Sequence, residues 1–151
     1  MKTLRLKTNI LILSAILILV SGCAMFGNNN GTEYKGGFLM VTLHEKFEEV
    51  YSATIEAINK GQTYDANNSA YDLRINEKTD SKAVVGAISE NNPSDFVEVV
   101  MAKTSDDTTR ISIKYGKQGD TIRSSALIDI IKANIRGSKH LANDHVVKNQ
   151  S

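Results

Sequence analysis

The chain has 151 residues, with 18 basic and 17 acidic side chains, one cysteine, one proline and no tryptophan. A net charge of +1 gives no electrostatic footprint for nucleic acid, which calls for a clustered basic face. One cysteine excludes a disulfide within the chain, so the fold must rest on its apolar core.

At the N-terminus, Lys2, Arg5 and Lys7 form a basic region, Ile10 to Val20 an apolar run, and Ser21-Gly22 a small-residue zone directly before Cys23. The apolar run is shorter than the roughly 18–20 residues a spanning helix needs. An ordinary secretory signal ends in an Ala-x-Ala-like site, whereas here a cysteine follows the small pair. Residues 1–22 resemble a bacterial lipoprotein signal with its lipobox. The resemblance implies cleavage before Cys23, diacylation of its sulfur and acylation of the new amino group. One acyl chain binds a membrane only marginally and two or more hold stably, so lipidation at Cys23 would anchor the protein without spanning. Lipoproteins kept in the inner membrane tend to carry Asp after the cysteine. Ala24 stands there instead, which favours the outer membrane, facing the periplasm. Removing residues 1–22 leaves 129, with 15 basic against 17 acidic, a length suited to one domain. No polybasic run lies beside Cys23 to supplement the lipid.

Residues 23–33 read as a lipidated tether, since Ala24 to Gly31 ends in Asn and Gly, which favour flexible backbone. Tyr34 to Thr42 predicts a strand, with Gly36-Gly37 marking a bulge or a late start. Phe47, Val50, Tyr51, Thr54, Ile55 and Ile58 follow helical spacing and predict a helix over Glu45 to Lys60, with Gly61 placed to end it. Gln62 to Ser69, dense in Asn and Asp, is a loop. The period then changes to two. Tyr71, Leu73 and Ile75 alternate with polar neighbours, and further strands follow at Ala83 to Ser89, Phe96 to Lys103 and Thr109 to Tyr115. Short polar turns between them predict an antiparallel meander.

Asp120 is placed to cap a second helix. Its apolar side is predicted as Ile122, Ala126, Leu127, Ile130, Ile131 and Ile135, with an end near Arg136 and Gly137 beyond. Residues 137–151 read as a polar, flexible tail, in which His140 to Val147 has room for a short turn. The order βαββββα over residues 34–136 predicts an α+β domain. It would be a two-layer sandwich, a five-stranded, mainly antiparallel sheet with two helices on one face.

Beyond the lipobox, the run from Val50 to Ile58, the strand from Thr109 to Gly116, and Gly119-Asp120 leading into Ile122-Arg-Ser-Ser125 resemble the family of small bacterial lipoproteins known as DUF3568. The likeness spans about Tyr34 to Ile135. It implies an envelope lipoprotein of α+β fold and brings no catalytic residues.

The chemistry-bearing side chains form no recognisable set. His140 and His145 are five apart, not helical neighbours, and with Asp144 they read as a polar tail rather than a metal site. His44 sits at a strand-to-helix junction and reads as a cap or surface residue. Gly116-Lys-Gln-Gly119 has the GxxG form of a nucleic-acid clamp, but it joins a strand to a helix and reads as a tight turn. Asp106-Asp107 read as a solvated turn, and Asp65, Asp72 and Glu77 lack calcium-loop spacing. Tyr51, Tyr64, Tyr71 and Phe96 are candidates for a small apolar pocket between helix and sheet, with core packing the simpler account. The expectation is a non-catalytic envelope lipoprotein, structural or bound to another envelope protein. It would need no metal, cofactor or nucleic-acid partner. The alternative is a periplasm-facing module that binds a small lipid or peptide.

Overall fold

A computed structural model describes residues 31–148, and side chains as far as 142. The expected signal segment, Cys23 and most of the expected tether lie outside the described residues, as do the side chains of Asp144 and His145. The element order is β1 (Glu33–Lys35), β2 (Phe38–Leu43), α1 (Phe47–Asn59), β3 (Tyr71–Lys78), β4 (Lys82–Ser89), β5 (Phe96–Ser105), β6 (Thr108–Tyr115) and α2 (Thr121–Lys148).

The sheet therefore has six strands, not five. Gly36 and Gly37 both take positive φ, +61° and +84°, the pattern of a two-residue type I′ hairpin turn. They fold the single expected strand back on itself, pairing Lys35 with Phe38 and Glu33 with Met40. Every neighbouring pair is antiparallel, in the order β1-β2-β6-β5-β4-β3. β6 is inserted between β2 and β5. The α1 crossover thus carries the chain from one side of the sheet to its far edge, and the meander returns it.

Both helices cover one face. Alternate residues of β4, β5 and β6 (Val85, Val97, Val99, Met101, Ile111 and Ile113) are buried there against Val50, Ala57 and Ile58 of α1 and Leu127 and Ile131 of α2. Each such aliphatic side chain contributes about 1.5–3 kcal/mol when fully buried, so this layer dominates stability. α1 ends in a Schellman motif: Gln62 N–H donates to Ala57 O at 2.9 Å and Gly61 N–H to Ile58 O at 3.0 Å.

Three details depart from the sequence pattern. A bulge between Leu73 and Ile75 reverses the facing of β3. Ile75 therefore lies on the helix-free face over Gly86, while Asn76, still exposed at the sheet edge, turns to the helix-bearing face and accepts a hydrogen bond from Tyr51 Oη at 2.9 Å. The buried stripe of α2 is Ser124, Leu127, Ile128, Ile131 and Ile135, whereas Ile122 is 83% exposed and Ala126 is also at the surface. Finally, α2 does not stop near Arg136. It runs to Lys148, with Gly137 inside it. Lys139 pairs with Glu45 and, at 3.2 Å, with Glu49, tying this extension to the start of α1. No helix among the described residues is long and apolar enough to cross a membrane.

Candidate functional site

Polar chemistry concentrates where β6 turns into α2. Asp120 caps the helix, its Oδ1 accepting from Arg123 N–H at 3.0 Å, and this sets Arg123 in the first turn facing the sheet end. Its guanidinium lies 4.3 Å from the Tyr115 ring centre and 5.7 Å from that of Tyr71. Nη1 donates to Asp95 Oδ1 at 2.9 Å and Nη2 to the Tyr64 carbonyl at 2.7 Å, and Nη2 also meets the Tyr71 hydroxyl. Tyr71 Oη donates to the same Asp95 oxygen at 2.6 Å, and Ala66 N–H reaches Oδ2 at 3.0 Å. A second carboxylate continues the network. Asp65 accepts from Ser89 Oγ at 2.5 Å and from the Asn67 and Ser69 amides at 2.8 Å. Thr63 and Tyr115 share a hydroxyl hydrogen bond of 2.5 Å.

Three stretches distant in sequence meet here: residues 63–71, from the loop after α1 into β3; residues 89–95, from the end of β4 to the start of β5; and residues 115–123, from the end of β6 into α2. Their charges are mutually satisfied, as buried ionic groups must be. Burial works against ionising Asp95, but hydrogen bonds from Tyr71, Arg123 and the Ala66 amide outweigh it and hold the carboxyl below its ordinary value. The Ser89 hydroxyl, the Ser69 amide and further donors do the same for Asp65. Burial, reinforced by the hydrogen bond to Asp95, pushes Tyr71 well up. Burial raises Tyr115 to about 12. The carboxylates are thus ionised and the phenols protonated throughout the neutral range. None of these groups is poised to exchange a proton near pH 7, which is what general acid–base chemistry requires. The arrangement is a clamp. An open cleft of about 470 Å³ lies beside it, between Asn92–Ser94 and Gly116–Asp120, but the Asp95, Asp120 and Arg123 groups on its wall are already engaged with one another or with backbone.

The residues singled out in the sequence do not converge. Gly116 and Gly119 form the tight turn, with φ of +60° and +89°. Gly119 packs against Gly37 so closely that a Cβ there would overlap the Gly37 carbonyl. Asp106 and Asp107 lie in the β5–β6 turn, where Asp106 pairs with Lys103 at 2.7 Å. Asp65 is in the clamp, Asp72 pairs with Arg74 at 3.0 Å, and Glu77 is exposed. His44 and His140 are at the surface. Among the described residues no group of three or more His, Cys, Asp or Glu side chains is placed to hold a metal. The four aromatics do not share a pocket. Tyr71 is core, Tyr51 on α1 is partly buried over the other end of β3, beside Asn76 and Lys78, Tyr64 is 52% exposed, and Phe96, paired with Ile88, lies on the opposite face of the sheet. Arg123, Asp95, Tyr115 and Thr63 were not legible as a set. The one pointer was Arg123 in the run after Gly119-Asp120 that carries the family resemblance.

Fold and site together define a small α+β domain: a six-stranded antiparallel sheet, two helices on one face, and an arginine-centred polar clamp at the last strand-to-helix junction. The family model described as a protein of unknown function, DUF3568, matches residues 7–134, and the chain belongs to this family. A search of curated proteins finds no match.

Proposed function

We propose that this protein is a bacterial envelope lipoprotein, lipidated at Cys23, whose domain acts by binding or by structural support rather than by catalysis. The observation that carries the reading is the sequence Val20-Ser21-Gly22-Cys23 closing a basic-then-apolar N-terminal segment. The family match beginning at Lys7 supports it, because the apolar run and Cys23 fall inside the matched residues. So does the chemistry of the clamp, whose ionisable groups are locked in one state near neutrality. Ala24 after the cysteine favours the outer membrane, facing the periplasm, as the site of the anchor, and another envelope protein is the proposed partner. Cys23→Ala tests the anchor: the variant is expected to keep its full-length mass and to lose incorporation of a labelled fatty acid. Normal processing with undiminished labelling in that variant would refute the reading.

A further inference from the structure

No helix among the described residues packs on the face of the sheet opposite α1 and α2. Strand register puts Met40, Val84, Val100, Ala102, Arg110 and Ser112 on that face. Arg110 is nevertheless buried, its side chain only 4% exposed. Ala102, its direct partner on β5, and Ser112, two residues along β6, are buried with it. Farther away the face opens, and Ile75 on the β3 edge is 46% exposed. An arginine on an open sheet keeps its head in water while its stem lies along the surface. Here the sheet neighbours Thr42, Met40, Ala102 and Ser112 stand beside Arg110 rather than over it. Glu33 of β1 meets Nη2 at 3.0 Å. Burial this deep calls for a cover that the described residues do not supply.

The chain beyond the described residues joins at two places. Lys148 ends α2, on the opposite face. Gly31 stands two residues before Glu33, the ion-pair partner of Arg110. Back from Gly31, Phe26 is five steps away and Met25 six, reaches of at most about 18 and 22 Å. β5 and β4 lie three and four strand spacings from β1, about 14 and 19 Å. Length therefore allows Phe26 to stand over β5 and Met25 over β4, with residues 28–30 over β2 and β6. The chemistry matches in that placement. Residues 28–30 are all asparagine, whose amide oxygens accept hydrogen bonds from a guanidinium. Met25 and Phe26 are apolar, as are the half-buried Val84 and Val100 of the face.

We propose that residues 24–30 fold back across the helix-free face as a strap, with residues 28–30 over Arg110 and Met25-Phe26 against Val84 and Val100. The strap stands where composition alone suggests a free tether. Burying Met25 and Phe26 supplies the driving force, and the asparagines compensate the desolvated guanidinium. The contact does not depend on the lipid, because residues 24–30 stay in the chain whether or not Cys23 is modified. Such a strap fixes the domain relative to residue 23 and closes the helix-free face to any other partner until it is released.

Phe26→p-benzoylphenylalanine, one aromatic for another, places a photocrosslinker near the far end of the strap. The full chain is irradiated in intact cells and its crosslinks are mapped by mass spectrometry. An intrachain product to residues 82–88 or 98–102 is expected. Ile122→p-benzoylphenylalanine, exposed on α2, should give none there. Products from position 26 that reach only lipid, other proteins or the helices overturn the strap. Chymotrypsin tests the same contact on the purified chain, since it cuts after Phe26 when the strap opens. Val100→Glu sets a carboxylate under the strap and is expected to speed that cut about tenfold or more. Equal rates in two chains that remain folded by circular dichroism overturn the proposal. The crosslink is measured with the sheet unsubstituted, so it decides the question even where Val100→Glu fails to fold.

Discussion

The two ends of the sheet are held in different ways. At the end where β6 enters α2, backbone meets backbone at Gly37 and Gly119, and a half-buried arginine–carboxylate–tyrosine network closes over the core. At the opposite end, carrying the β3–β4 and β5–β6 turns, the ion pairs Lys78–Glu48 and Lys103–Asp106 stand largely in solvent. Similar salt-bridge geometry means different things in the two places. An exposed pair gains little over its hydrated, mobile separated state. A desolvated network leaves uncompensated charge behind when one member is removed. The clamp end should therefore carry most of the mutational sensitivity, and the far end should tolerate change.

The largest expected effect is at Gly119. Gly119→Ala adds a Cβ where the Gly37 carbonyl already lies, on a backbone at φ +89°. The expected cost is about 3 kcal/mol or more in denaturant unfolding. Wild-type stability in this variant would mean that the hairpin and the β6–α2 turn do not touch. Next comes the clamp. Asp95→Ala strips partners from Arg123, Tyr71 and the Ala66 amide and is expected to cost about 2 kcal/mol, allowing for solvent at the rim. Asp95→Ala and Arg123→Ala should be strongly non-additive in a double-mutant cycle, since each removes the other's partner. Additivity would mean that the clamp is not one unit.

The pH dependence follows, with a sign at each limb. Asp65 and Asp95 have folded values below the ordinary 3.8, so the unfolded chain binds more protons than the folded one in that range. Their stabilisation is complete above the unfolded value and is lost as pH falls through the folded ones. Tyr71 and Tyr115 are raised above 10, so the unfolded chain ionises first on the alkaline side. That contribution is complete below pH 10 and declines above it, for Tyr115 between 10 and about 12. Thermal melts should fall away at both limbs. Asp95→Ala should flatten the acid limb, and an unchanged acid limb would remove Asp95 as its source. The smallest effect is expected at the far end, where Lys103→Ala and Asp106→Ala should leave the melting temperature unchanged within error. A measurable drop would erase the contrast between the ends.

Local signals located the elements well. The stripe from Phe47 to Ile58 gave α1, and the alternation at Thr109 to Tyr115 gave β6 with Ile111 and Ile113 inward. The failures share a cause. Ile122 fits the helical period as well as Ile128 does, but only the sheet beneath α2 decides which is covered. The Leu73–Ile75 alternation is regular in sequence, and a bulge reverses it. Gly36-Gly37 marks an irregularity in the sequence, yet whether two glycines bend a strand or fold it into a hairpin depends on the partner available to each arm. For the same reason the clamp could not be read as a set. Thr63, Asp95, Tyr115 and Arg123 share no spacing, only a location.

The sequence by itself determined the α+β class, the existence and start of both helices, the four-strand meander and the family, because periodic burial and turn chemistry are local signals that locate an element even where they misassign the facing of single residues. It also singled out Cys23, whose proposed role rests on its immediate neighbours alone. Tertiary structure decided the sixth strand, the place of β6 between β2 and β5, and the clamp around Arg123. Those are contacts between segments tens of residues apart, and their energies depend on burial and distance, which chain order does not encode position by position.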